Sequence, residues 1–174
     1  MILNLAKAQE RVFPEKYGQT LNLGAGIGYM GFIGRTVGVL NMDVEFDAAR
    51  NFTLAPFAKF YTYSRGYFWG SKGSPYRYYM YRATVIPLGV KGSYYFDELL
   101  RAPAAWDFYG AGSLGFTVAS AAWEKDYSGD LKAFPGPRPL FIDIHAGAEY
   151  KFGRAGVFFD LSTGVSTIGL GLHF

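Results

Sequence analysis

Thr167-Ile168-Gly169-Leu170-Gly171-Leu172-His173-Phe174 alternates strictly between large apolar side chains and glycine or polar ones, and stops on an aromatic residue in phase with Ile168, Leu170 and Leu172. A period of two is the mark of a strand with two unlike faces. In water, a terminal phenylalanine frays and gains nothing. Against lipid, the same side chain becomes an interfacial anchor. The tail therefore poses a membrane-barrel question that the rest of the chain answers.

Working outward, further segments take the same form. Leu21, Leu23, Ala25, Ile27 and Tyr29 alternate with Asn22, Gly24, Gly26 and Gly28. Leu40, Met42, Val44 and Phe46 oppose Asn41, Asp43 and Glu45, and Leu54, Pro56, Ala58, Phe60 and Thr62 oppose Phe57, Lys59 and Tyr61. Thr84, Ile86, Leu88, Val90 and Tyr94 stand against Val85, Lys91 and Ser93, and Phe108, Leu114, Phe116 and Val118 against Asp107, Tyr109 and Ser113. Ile142, Ile144, Ala146, Ala148 and Tyr150 alternate with Asp143, His145, Glu149 and Lys151, and Val157, Phe159 and Leu161 with Phe158, Asp160 and Ser162. With 18% of all residues charged, the first set carries no charge; the charges sit on the opposite set within the same short strands.

A soluble barrel of the lipocalin type shows the same alternation with its apolar face inward. Two features favour the reverse. The polar set is rich in Gly, Ala and Ser, which suits a narrow interior. The apolar set places Tyr29, Tyr94, Tyr150 and Phe174 near strand ends, as aromatic girdles require. Composition agrees: 14 Tyr, 16 Phe, 3 Trp and 23 Gly in 174 residues, without any apolar run long enough for a membrane helix. The expected fold is an all-β, eight-stranded antiparallel transmembrane β-barrel over residues 17–174, with both termini periplasmic. Residues 1–16 form a lead, in which Ala6-Lys7-Ala8 has the spacing of a cleavage site and reads equally as a signal remnant or a cloning scar. Cysteine is absent, and the net charge of +3 forms no basic stripe, so nucleic acid is not an expected partner.

On these residues the chain resembles the small eight-stranded outer-membrane barrels of Gram-negative bacteria, the OmpA/OmpX-like superfamily. Its tail is similar to the signal read by the barrel-assembly machinery, with Thr167 in the polar place, Gly169 in the glycine place, Leu172 in the apolar place and Phe174 as the terminal aromatic. The wording around Phe52–Phe57, Tyr94–Asp97 and Asp160–Gly164 resembles uncharacterised barrels of Bacteroidota. The resemblance implies an outer-membrane location, lipid contact and no enzymatic motif.

The inward set holds Asp43, Glu45, Asp107, Asp143, Glu149 and Asp160 with Lys59, Lys91, Lys151 and His145. In a barrel this narrow the expectation is a lumen plugged by a polar network, since unpaired buried charges do not persist. The acid excess and the histidine leave a proton or cation path as the alternative. No catalytic, metal or cofactor site is expected: Gly147 stands where the His-x-Ser spacing of lipid A deacylases needs its serine, and His145 and His173 are isolated.

The stretch 65–82 mixes Arg65, Lys72, Arg77 and Arg82 with Trp69, Tyr79 and other aromatics and has no acid. It reads as a long loop, either an interfacial girdle or a docking surface for a partner protein or lipopolysaccharide phosphates. The prolines of the 123–139 loop stiffen its end. Pro56 and Pro87, inside strands, are expected to mark bulges with local loss of pairing. The function expected is therefore a non-catalytic structural or interaction protein, a subunit of a larger envelope complex. A narrow channel is second, and a soluble ligand-binding barrel third.

Overall fold

The computed structural model describes residues 17–71, 74–131 and 136–174. Its strands are β1 (Gln19–Met30), β2 (Arg35–Ala49), β3 (Phe52–Ser71), β4 (Ser74–Tyr95), β5 (Trp106–Trp123), β6 (Leu140–Phe152), β7 (Ala155–Ser162) and β8 (Val165–His173), with a single short helix, α1 (Asp97–Leu100), between β4 and β5. Each strand pairs antiparallel with its neighbour in sequence, and β1 closes onto β8 from Thr20↔His173 to Gly28↔Val165. This is an eight-stranded transmembrane β-barrel. Every second residue decides it: Leu23, Ile27, Leu40, Leu114, Ile142, Ile168 and Leu170 are exposed on the outside, while Asn22, Asp43, Lys59, Lys91, Asp143 and Asp160 are buried. A soluble barrel would have these faces exchanged. Among the described residues no helix is long and apolar enough to cross a membrane.

Connections differ at the two mouths. On the side of the termini, β2–β3 and β6–β7 turn at residues 50–51 and 153–154, where Asn51 (φ 58) and Gly153 (φ 69) take the left-handed conformation that tight turns need. Only the β4–β5 link, which carries α1, is longer there. At the opposite mouth the β3–β4 hairpin rises with Tyr127 packed against it, and the β7–β8 turn at 163–164 stays low.

Three expectations are corrected here. The stretch 65–82 is no loop: β3 and β4 remain paired from Arg65↔Tyr81 to Ser71↔Ser74, and β5 stays beside β4 up to Tyr81↔Trp123. At a rise of ~3.3 Å per residue, the hairpin projects roughly 20 Å past that row. Lys72 and residues 1–16 lie outside the described residues. The prolines mark no bulge: pairing skips from Asp43↔Phe57 to Phe46↔Leu54 past Pro56, and from Ala58↔Leu88 to Tyr61↔Val85 past Pro87, with register kept on both sides. A ring without an N–H removes rungs from the ladder without adding a residue to either strand. The register shifts fall instead between Asp47 and Ala49 in β2–β3 and between Trp69 and Ser71 in β3–β4.

The interior, too, is not polar throughout. Polar and charged groups fill the half nearer the termini. The other half is an apolar cluster of Met30, Val37, Val39, Tyr61, Tyr63, Tyr81, Ala83, Val85 and Val165. These residues share the inward phase with the charged ones, but the register places them at a different height.

Candidate functional site

In the polar half, all the inward ionisable residues expected from the sequence are brought together except Asp107 and Lys151, which pair with each other at 2.7 Å near the lower mouth. Lys91 Nζ donates to Asp43 at 3.3 Å and Lys59 Nζ to Asp143 at 3.4 Å, each pair crossing the lumen between strands that are not neighbours. Asn22 Nδ2 donates to Asp43 at 2.9 Å and to Glu45 at 3.2 Å. Glu45 also accepts from Thr53 and from Tyr95, the latter at 2.5 Å, so neutral donors balance a carboxylate that has no lysine. Glu149 meets His173 Nε2 at 2.9 Å. Asn22, Thr53, Tyr95, Tyr109 and His173 complete the network; the inward phase contained them, but a search for charge alone passes over them. At the lower mouth, burial and the 2.7 Å hydrogen bond to Asp97 push the Tyr17 hydroxyl well above the ordinary tyrosine pKa.

His145 hydrogen-bonds two partners, and its Nε2 also lies 3.7 Å from Asp143 Oδ2. Its Nδ1 lies 2.7 Å from Asp160 and its Nε2 2.8 Å from Ser113 Oγ. An ionised carboxylate only accepts, so Nδ1 carries the proton and, in the neutral ring, Nε2 accepts from the serine. This is the spacing of a nucleophile, base and orienter. The surroundings give it no substrate: the cavity lined by Ser113, His145, Asp43, Glu45 and Lys91 measures about 20 Å³, which is room for roughly one water.

The second site is the projecting β3–β4 hairpin, with the end of β5 beside its base. Its inner face is an aromatic stack: Tyr127, from the 124–139 connection, lies flat on Trp123 at 4.0 Å and edge-on to Trp69 (5.6 Å) and Tyr79 (5.2 Å). Its outer face leaves Phe68, Tyr76, Tyr78 and Met80 exposed, with Arg82 in the same phase. Of the residues singled out in sequence, Trp69 and Tyr79 are thus packing residues. Arg77 lies 5.8 Å over the Tyr79 ring. Arg65 donates to Phe32 O at 2.9 Å, while Arg35 donates to Ser64 O at 2.8 Å. These two arginines tie the β1–β2 turn to β3 above Leu40↔Phe60, where the β2–β3 ladder ends.

In the tail, Thr167 is buried, Gly169 pairs with Gly24, Leu172 points outward, and Phe174 is exposed with its N–H donating to Gln19 O at 2.9 Å.

No known protein family matches the chain, and no characterised protein matches it in sequence. Among solved structures it is similar to a de novo designed transmembrane β-barrel (TM-score 0.50, 11% identity, covering 91% of this chain and 98% of that one). It is also similar to Ail, the attachment invasion locus protein of Yersinia pestis, solved with the heparin analogue sucrose octasulfate (TM-score 0.44, 9% identity, 90% and 96% covered). At these identities the likeness is one of fold.

Proposed function

We propose that the chain is a non-catalytic outer-membrane β-barrel of Gram-negative bacteria that serves as an interaction subunit of a larger envelope complex, through its projecting sheet. Kinship with the OmpA/OmpX-like barrels, a source in Bacteroidota and delivery by the barrel-assembly machinery belong to the same inference; delivery rests on Thr167, Gly169, Leu172 and Phe174, and the source on the stretches Phe52–Phe57, Tyr94–Asp97 and Asp160–Gly164. The observation that carries the role is the outer face of the hairpin. Phe68 and Tyr76 are 69% and 78% exposed on strands that extend past the barrel wall, where neither lipid belt nor core covers them. Aromatic and arginine side chains together are what protein interfaces enrich. The filled lumen supports the non-catalytic reading, because a cavity of about 20 Å³ holds roughly one water and no organic substrate.

The test is purification in mild detergent of the native chain and of a Phe68→Ser/Tyr76→Ser/Tyr78→Ser variant. The native chain is expected to elute with a stoichiometric partner, and the variant as a lone barrel of unchanged thermal stability. A native chain that also elutes alone sinks the proposal.

A further inference from the structure

The barrel wall is incomplete at one place. β7 and β8 pair only up to Asp160↔Thr167 and turn back at residues 163–164. On the notch side, β6 keeps a neighbour up to Ile144, whose carbonyl accepts from Thr163 N at 3.1 Å, and β1 up to Gly28↔Val165. Among the described residues, β6 at 140–143 and β1 at 29–30 then continue with no strand between them. At ~4.8 Å per strand, β6 and β1 stand roughly 14 Å apart above a sill made by the β7–β8 turn. Asp143 holds that sill down, accepting from Thr163 Oγ1 and Gly164 N, each at 2.8 Å.

The notch opens onto lipid. Tyr29, Leu140 and Ile142 flank it on the outside and belong to the exposed apolar belt, while Met30, Tyr61 and Val165 line it from within the apolar half of the lumen. Between them is a cleft of about 160 Å³, comparable with the dry, apolar cavity of about 150 Å³ that takes up benzene in another protein. Among the described residues no carboxylate lines the cleft, and Arg138 is its one cation. Pro137 and Pro139 on either side of Arg138 fix the local backbone, and Pro139 O is anchored by Thr117 N at 2.7 Å. Arg138 makes no ion pair among the described residues.

We propose that this notch is a binding site for one acidic lipid: the end of an acyl chain enters the cleft between Leu140 and Val165, and the phosphate of its headgroup pairs with Arg138. The charge argues for an anionic head, because arginine matches phosphate oxygens in a forked geometry. Continuity with the lipid belt argues for a chain that arrives sideways from the bilayer.

The test is native mass spectrometry of the purified barrel in a neutral polyoxyethylene detergent, with equal amounts of tetradecyl phosphate and tetradecyl maltoside. A single phosphate adduct is expected, favoured about tenfold over the maltoside, the scale of one charge-assisted contact. Arg138→Gln should reduce that preference to near unity. Leu140→Trp, a change at an exposed position that fills the cleft, should remove both adducts. Arg77→Gln, on the projecting sheet, should leave the native pattern. Several adducts without headgroup preference in the native chain, or a native pattern in both Arg138→Gln and Leu140→Trp, would overturn the proposal.

Discussion

Asp143 accepts from Lys59 Nζ (3.4 Å), Ser162 Oγ (2.8 Å), Thr163 Oγ1 (2.8 Å) and Gly164 N (2.8 Å), so one carboxylate neutralises a buried cation and closes the β7–β8 turn. Lys59 is 4% exposed. Asp143→Ala leaves that charge without a counter-ion, and breaking a buried pair in this way costs about 3–5 kcal/mol. Denaturant titration of vesicle-reconstituted protein should show that loss. In Lys59→Met/Asp143→Ala part of it should return, because the double variant removes both charges of this pair and leaves neither without its partner. A double variant as unstable as the sum of the singles would mean that the turn, and not the ion pair, dominates. At this scale the sequence was half legible. Phase alone put Asp143 and Lys59 inside. Their pairing was hidden, because β6 and β3 face each other across the lumen and only the ring of registers sets which residues share a height.

At the scale of the strand, the inner faces of β1 and β8 are bare backbone where Gly24 pairs with Gly169. A Cβ on Gly169 would lie 2.2 Å from Leu23 O and 2.6 Å from the Phe158 ring, so the ring rests directly on paired backbones. On the outside, a Cβ on Gly112 meets nothing within 4 Å. Gly169→Ala should therefore destabilise refolded protein by about 1–3 kcal/mol through overpacking, and Gly112→Ala should stabilise it by about 0.5 kcal/mol. Refolding from urea into lipid also separates two reasons for the tail glycine. A defect seen only in cells would belong to recognition during assembly, and one seen in the refolded protein belongs to packing. The projecting hairpin was the element least legible in sequence. Alternation reveals a strand only when its faces differ, and here Tyr67, Trp69, Tyr79 and Tyr81 on one face meet Phe68, Tyr76 and Tyr78 on the other. Strand propensity was high throughout, and the two-residue period had no contrast to show it.

For the whole molecule, the outer face was legible because lipid selects every second residue in every strand, independently of register. The division of the interior into two levels was not, since height depends on connection lengths that the phase of a single strand does not contain. That division decides permeation. An ion entering from the polar half reaches Val37, Val39, Tyr61, Tyr63 and Val85, which pack together as one apolar layer inside the barrel. Stripping its water there without a counter-charge costs several kcal/mol at least, whatever the acids below contribute. Planar-bilayer recordings of the native barrel should therefore show no unitary steps, and Asp143→Asn or Glu149→Gln should create none, because neither touches the layer. Val39→Ala/Tyr61→Ala/Val85→Ala thins it and should admit small cations, drawn by the acid excess of the polar half. If the native barrel conducts and Glu149→Gln alters the current, the layer opens in the membrane, and the polar half is a pathway instead of a plug.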